Sequence, residues 1–221
     1  MSEGKHKPSD ETDLQVPKAV VSRLSFYLRE LQHLVRDGHP TTSSTQLGSL
    51  LGFTDAQVRK DLANFGQFGY PGIGYRCQEL IDEIKRILGT NQPWGLALVG
   101  VGNLGRALAG YRGFSQQGFR LVAAFDVDPA KVGSKVEGIP VFHHETIPVK
   151  VKELGIRLAI VAVPAGMAQT VADELVTAGI EGILNFAPVT LNLPKSVRSQ
   201  GVDLAIELEQ LTFAVVNHRN R

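Results

Sequence analysis

The segment Gly100-Val101-Gly102-Asn103-Leu104-Gly105 constrains this 221-residue chain more than any other feature. It follows a short apolar run, Leu96 to Val99, and opens a helix expected over Arg106 to Tyr111. Each glycine of a G-x-G-x-x-G pattern has a reason to be there. Gly100 permits a tight turn, Gly102 lets backbone approach a pyrophosphate, and Gly105 lets the helix pack closely on the strand. The unpaired N–H groups at the start of the helix then face phosphate oxygens. Asp126 comes 21 residues after Gly105, at the end of the next apolar run, Leu121 to Phe125. An acid at that place hydrogen-bonds the hydroxyls of an adenosine ribose and repels a 2′-phosphate. The pattern predicts a dinucleotide site and favours NAD(H) over its phosphorylated form. The plainer reading is a glycine turn that serves another nucleotide, or none.

Two further apolar runs, Leu158 to Val163 and Ile183 to Phe186, continue the pattern. Short continuous apolar runs separated by helical stretches are expected of strands buried on both faces of a parallel sheet. Right-handed crossovers then give an α/β, doubly wound (Rossmann) sheet. Ligands of such sheets bind beyond the carboxyl ends of the strands. The candidate cofactor set is therefore the loop Gly100, Val101, Gly102, Asn103, Leu104 and Gly105, with Asp126, Val127 and Lys131 on one side and Val163, Pro164, Asn185, Phe186, Ala187 and Pro188 on the other. Phe186 is either a stacking ring or a core phenylalanine. Tyr111 joins the set at the end of the first helix.

The first 90 residues read differently. Pro17 opens a helix whose apolar positions Val20, Leu24, Tyr27, Leu28, Leu31 and Val35 share one face. A short helix near Gln46 to Leu51, a turn at Gly52-Phe53 and a third helix from Thr54 or Asp55 to about Phe65 have helix-turn-helix spacing. Gln57, Arg59 and Lys60 lie early on that third helix, which suits reading of the major groove, with Arg59 on guanine and Lys60 on phosphate. Ser43, Ser44 and Thr45 are candidate phosphate contacts. The glycine-rich stretch Gly66 to Tyr75 predicts a hairpin that would serve as a wing, with Tyr70, Gly72 and Gly74 as candidate contacts. A further helix carries Leu80, Ile81, Ile84, Ile87 and Leu88. The alternative is a helical interaction module with a solvated Arg-Lys pair. Charge does not decide between them: these residues hold 11 Lys/Arg and 11 Asp/Glu, and the whole chain has a net charge of +1.

The domain plan is a tail at 1–13, a winged helix-turn-helix at 14–90, a Rossmann domain at 91–203, and a last helix with a frayed tail from Asn217 at 204–221. No internal repeat, secretory segment or membrane span is found, so a cytoplasmic location is expected. Cys77 has no partner for an internal disulfide and reads as a packing residue. No metal-ligand spacing is found. His143 and His144 are the only acid/base candidates for an oxidoreductase with an accessory helical domain. They follow the glycine loop too closely to reach the nicotinamide end, and read as surface histidines with no catalytic role. A coenzyme A-binding module shares this type of sheet, and Asp126 argues mildly against it.

Ser22-Arg23-Leu24, Tyr27-Leu28-Arg29, Gln57-Val58-Arg59-Lys60-Asp61-Leu62, Gly72-Ile73-Gly74-Tyr75, the glycine loop, Phe125-Asp126-Val127-Asp128-Pro129 and Asn185-Phe186-Ala187-Pro188 occur in one order. Together, over about Val16 to Val216, they resemble the Rex family of bacterial redox-sensing repressors. The resemblance implies a homodimer on an inverted-repeat operator, NADH and NAD+ as effectors, and a C-terminal helix swapped into the partner subunit. It also implies that Arg29, Tyr111 and Asp203 exchange partners with the redox state of the cofactor. Without the resemblance these three read as a solvated arginine, a core tyrosine and a helix N-cap. The chain departs from the family at Pro71, where a basic residue often precedes the wing glycine.

Overall fold

The computed structural model describes residues 16–218; the expected tail at 1–13 and the last three residues lie outside them. The chain divides into two units, Met1–Asn91 and Gln92–Arg221.

The first unit begins with α1 (Lys18–Arg36), then β1 (Thr41–Thr42), α2 (Ser44–Leu51), α3 (Asp55–Ala63), β2 (Gly69–Tyr70), β3 (Gly74–Arg76) and α4 (Cys77–Ile87). Helix α1 buries Val20, Leu24, Tyr27, Leu28, Leu31 and Leu34 against a core that includes Leu47, Val58, Leu62, Cys77, Leu80, Ile81 and Ile84. Val35 was expected on that face but is 37% exposed. By angle it falls on the stripe, yet it sits in the last turn, where the core has ended, and lines a surface groove with His39, Pro40 and Arg76.

The start of α2 is capped by Ser43, whose Oγ accepts the Gln46 N–H at 3.0 Å, and Gly52 ends it in the left-handed conformation, φ 74°. Thr54 caps α3 in the same way through the Gln57 N–H. A Cβ on Gly48 would lie 2.6 Å from the Phe53 carbonyl oxygen, so the α2–α3 turn folds back onto α2 at that residue. Helix α3 ends two residues before the expected Phe65, because the Asn64 side-chain amide donates to the carbonyls of Lys60 and Asp61. The hairpin of β2 and β3 forms as predicted, and β1, too short to show alternation, adds to its edge in the order β1-β3-β2.

The second unit runs β4 (Trp94–Val99), α5 (Asn103–Ala109), α6 (Gly113–Gln116), β5 (Phe119–Asp126), β6 (Lys135–Val136), β7 (Ile139–His143), a 3-10 turn at His144–Thr146, α7 (Ile147–Glu153), β8 (Leu158–Val161), α8 (Ala165–Thr177), β9 (Gly182–Asn185), β10 (Arg198–Gly201) and α9 (Leu204–His218). The sheet order is β10-β9-β8-β4-β5-β7-β6, parallel except for the β6–β7 pair. The chain thus moves outward from β4 to β5 and β7, then crosses to β8 on the other side. The doubly wound switch point lies between β4 and β8.

Strands β8 and β9 are shorter than the apolar runs suggested, ending at Val161 and Asn185. After β8 the chain turns at Pro164 into α8, and after β9 the Asn185 side chain closes a turn. The helix after the glycines occupies Asn103–Ala109 rather than Arg106 to Tyr111, since Gly102 caps its start and Gly110 its end. One sheet face packs under α7 and α8 through Ile147, Val151, Val171, Ala172 and Leu175. On the other, Leu96, Phe114, Phe119, Leu158, Ile160 and Leu184 line a cavity of about 450 Å³. Helix α9 exposes Leu204, Ile206, Leu208, Leu211, Phe213, Val215 and Val216. It continues through Asn217 and His218, where a frayed tail was expected, with the Asn217 amide donating to the Phe213 carbonyl.

Candidate functional site

Gly100 turns the chain out of β4 with φ 93°, and a Cβ there would lie 2.5 Å from the Ala162 carbonyl oxygen. A Cβ on Gly105 would lie 1.9 Å from the Gly100 carbonyl oxygen, so α5 rests directly on the turn. Gly102 is different: nothing stands within 4 Å of where its Cβ would be. Val101 and Gly105 are buried beneath the loop, whereas Gly102, Asn103 and Leu104 are exposed above it. Gly100 and Gly105 are therefore packing requirements of the protein itself. Gly102 leaves open backbone at the start of α5, a cradle that fits a dinucleotide pyrophosphate.

Asp126 ends β5 and holds this loop. Its Oδ2 accepts the Val101 N–H at 2.7 Å and the Lys131 Nζ at 3.1 Å, and its Oδ1 accepts the Asp128 N–H at 2.9 Å. Burial by itself would raise its pKa, but the bonds from Asp128, Val101 and Lys131 outweigh that and hold the carboxyl below the usual carboxylate range. Both lone-pair directions of Oδ2 are thus taken, while Oδ1 keeps a second one for a ribose hydroxyl. Val127 is exposed beside it. Val163 lies against Gly100, where an added Cβ would meet its Cγ1 at 2.9 Å, and Pro164 caps α8.

Asn185 is turned to another use. It is buried, its amide donates to the carbonyls of Ala187 and Val189, and its Oδ1 accepts the Ala187 N–H at 3.0 Å. It shapes the loop that presents Phe186, Ala187 and Pro188. Phe186 packs partly on the core and Pro188 is exposed.

In the first unit, the three candidates on α3 meet different fates. Gln57 Nε2 donates to Asp61 Oδ1 at 2.7 Å, which draws it toward the body of the domain. Arg59 stays on the outer side, 56% exposed, paired with Asp55 at 2.8 Å and donating to Ser44 Oγ at 3.1 Å. Lys60 is exposed on the same helix. Ser43 is committed as the cap of α2. In the wing, Tyr70 donates to Glu79 Oε2, and the Arg76 guanidinium lies 4.8 Å from the Tyr70 ring centre. Gly72 and Gly74 both have positive φ, 74° and 86°.

Two residues escaped the sequence reading. Asp61, 1% exposed, sits at the centre of a network from Arg23, Tyr27 and Gln57. Only the isolated acid at a helical position four after Gln57 could have signalled it. Arg76 supplies a cation at the base of the wing that Pro71 does not. Of the three switch candidates, Arg29 is exposed above the Phe26 ring, and Tyr111 lies beyond α5, 60% exposed and edge-on to Phe114. Asp203 Oδ1 accepts the Ala205 N–H at 2.9 Å and so caps α9.

Residues 91–189 match a family of CoA binding domains, and residues 15–63 match a family of putative DNA-binding protein N-termini. The redox-sensing transcriptional repressor Rex of Carboxydothermus hydrogenoformans is 48% identical over 201 residues, 91% of this chain and 97% of that protein. The crystal structure of RSP in complex with beta-NAD+ and operator DNA superposes with a TM-score of 0.86 at 36% identity, covering 92% of this chain and 94% of that one. RSP in complex with beta-NADH gives a TM-score of 0.83 at 34% identity, covering 93% and 96%.

Proposed function

The chain belongs to the Rex family of redox-sensing transcriptional repressors, and from that premise we propose that it binds an inverted-repeat operator as a homodimer and releases it when NADH replaces NAD+. The observation that carries this reading is the open backbone at Gly102 with Asp126 behind it, in a chain whose other unit is a winged helix-turn-helix. The Gly100–Gly105 loop takes the pyrophosphate and Asp126 the adenosine ribose. Phe186, Ala187 and Pro188 line the nicotinamide end. Arg59, Lys60 and Ser44 face DNA, with Arg76 and the wing backbone beside them.

Switching would work through charge. NAD+ carries a cationic planar ring and NADH a neutral puckered one. Loss of that charge reorients Tyr111 and frees Asp203 from its cap to pair with Arg29. The two recognition helices must lie about 34–36 Å apart to enter successive major grooves, so a small rotation ends binding. The exposed apolar face of α9 is the surface such a dimer would cover.

We read the chain as a regulator and not as an oxidoreductase. His143 and His144 stand at the end of β7, in register with Asp126 and so at the adenosine end, far along the sheet from Phe186. Coenzyme A is the second reading, favoured by the family matched over residues 91–189. Among the described residues no helix is long and apolar enough to cross a membrane, and a DNA partner puts the protein in the cytoplasm.

Fluorescence anisotropy on a labelled inverted-repeat operator, at fixed salt, tests the reading. Binding should survive NAD+ and be lost with NADH. Cofactor binding without binding to any duplex in a broad panel would overturn it.

A further inference from the structure

We propose that His143, His144 and Glu145 form a site for a divalent transition-metal ion of the zinc class, with Glu174 orienting His144. One side-chain ligand atom from each of the three residues lies within 4.8 Å of the other two. His143 Nδ1 and Glu145 Oε2 are 3.4 Å apart. Four donors at ~2.0–2.1 Å around tetrahedral zinc are separated by about 3.3 Å, so this pair already stands at the spacing the ion requires. Imidazole nitrogen with carboxylate oxygen is a donor set that zinc accepts and that calcium or magnesium, which prefer oxygen alone, do not.

The backbone that presents the three donors is fixed from both sides. His143 is the last residue of β7 and pairs with Asp126 of β5. Thr146 Oγ1 donates to the His143 carbonyl at 2.7 Å, closing the 3-10 turn. Ile147, fully buried, then anchors α7 in the core. The turn cannot splay its donors apart without pulling that anchor.

Glu174 comes from α8. Its Oε2 lies 3.4 Å from His144 Nδ1. A carboxylate on one nitrogen of an imidazole fixes the tautomer and leaves the second nitrogen to bind a metal, an arrangement common around histidine ligands. The site is open to solvent: side-chain exposures are 36% for His143, 29% for His144 and 77% for Glu145. An ion can therefore enter and leave, and water completes its coordination. The two imidazole ring centres are 4.9 Å apart, near enough for both rings to serve one ion. The proposal does not depend on the DNA-binding reading.

The experiment is titration of the metal-free full chain with Co²⁺ at neutral pH, followed by displacement with Zn²⁺. One Co²⁺ per chain with the intense visible bands of tetrahedral coordination is expected, and Zn²⁺ should bleach them. His143→Ala with His144→Ala should abolish that signal, and Glu174→Gln should weaken it by about 10–100-fold at unchanged stoichiometry. His33→Ala should change nothing. Circular dichroism and thermal unfolding of the same variants confirm folding, since all four side chains are at least partly exposed. Failure to take up one ion per chain, or uptake that persists in the double variant, overturns the assignment.

Discussion

Arg23 grips Asp61 with two parallel bonds, Nε to Oδ2 at 2.5 Å and Nη2 to Oδ1 at 2.8 Å, and so ties α3 to α1. Tyr27 adds a third bond at 2.8 Å. Burial pushes the carboxyl of Asp61 upward, but the bonds from Arg23, Tyr27 and Gln57 prevail and hold it below the usual range. Removing one member of a buried pair typically costs about 3–5 kcal/mol. Arg23 is 21% exposed, which reduces this, so Asp61→Asn is expected to lower stability by roughly 2–3 kcal/mol at neutral pH. Urea unfolding followed by far-UV dichroism measures it.

The same pair predicts a pH dependence. A carboxyl depressed in the folded state stabilises above its unfolded value of about 3.9 and ceases to do so as pH falls through the folded value. The gap between wild type and Asp61→Asn should be constant from pH 5 to 8, as order-of-magnitude bounds around that value, and shrink below about pH 4. A gap that widens in acid would mean that the Arg23–Asp61 pair is not what the substitution removes.

Gln57 and Arg59 should separate stability from DNA affinity. Gln57 is bonded to Asp61, so Gln57→Ala is expected to cost about 1 kcal/mol of stability with a modest effect on operator binding. Arg59→Ala should leave stability within about 0.5 kcal/mol yet weaken binding by about 1–3 kcal/mol. Lys60→Ala should weaken all duplexes alike and reduce the salt slope by about one. Equal effects of Gln57→Ala and Arg59→Ala on the operator would refute this division.

The glycine loop offers a paired test. At Gly102 an alanine meets no protein atom, so Gly102→Ala should fold as wild type and lose at least about tenfold in NADH affinity, ~1.4 kcal/mol. At Gly105 an alanine meets the Gly100 carbonyl, so Gly105→Ala should lower the thermal midpoint even without nucleotide. If both variants bind NADH normally, the loop is not the pyrophosphate site.

For α9, Leu211→Asp with Phe213→Asp places charge on side chains that are 59% and 72% exposed in one chain. Burial of such a face against a second copy predicts that the double variant elutes as a monomer. Light scattering gives the mass directly.

The sheet and its glycine loop were legible because both rest on local rules. Apolar runs mark buried strands, and glycines mark turns that reject a Cβ, as Gly100 and Gly105 do. What stayed hidden depends on distant partners. Strand β10, Arg198–Gly201, is exposed throughout and held by pairing with β9, so its hydropathy says nothing. Asp61 looked like an ordinary polar residue and Asn185 like a cofactor contact, yet both are buried because folding delivers their hydrogen-bond partners. Tyr111 was expected at a helix end and instead lies past Gly110, where no periodicity indicates its direction. His143, His144 and Glu145 are neighbours in the sequence, but the approach of Glu174, 29 residues beyond Glu145, to His144 is a product of tertiary structure.

Asp126 staples the Gly100–Gly105 loop through the Val101 N–H. In the role proposed for Asp126 this corner holds the adenosine half of the cofactor, which is chemically the same in NAD+ and NADH, so its grip is blind to the electrons carried at the far end. Such an arrangement separates tenacity from discrimination. Changes at Asp126 should shift both apparent affinities together and preserve their ratio, so the concentration at which the protein responds and the redox balance at which it turns over can be adjusted independently.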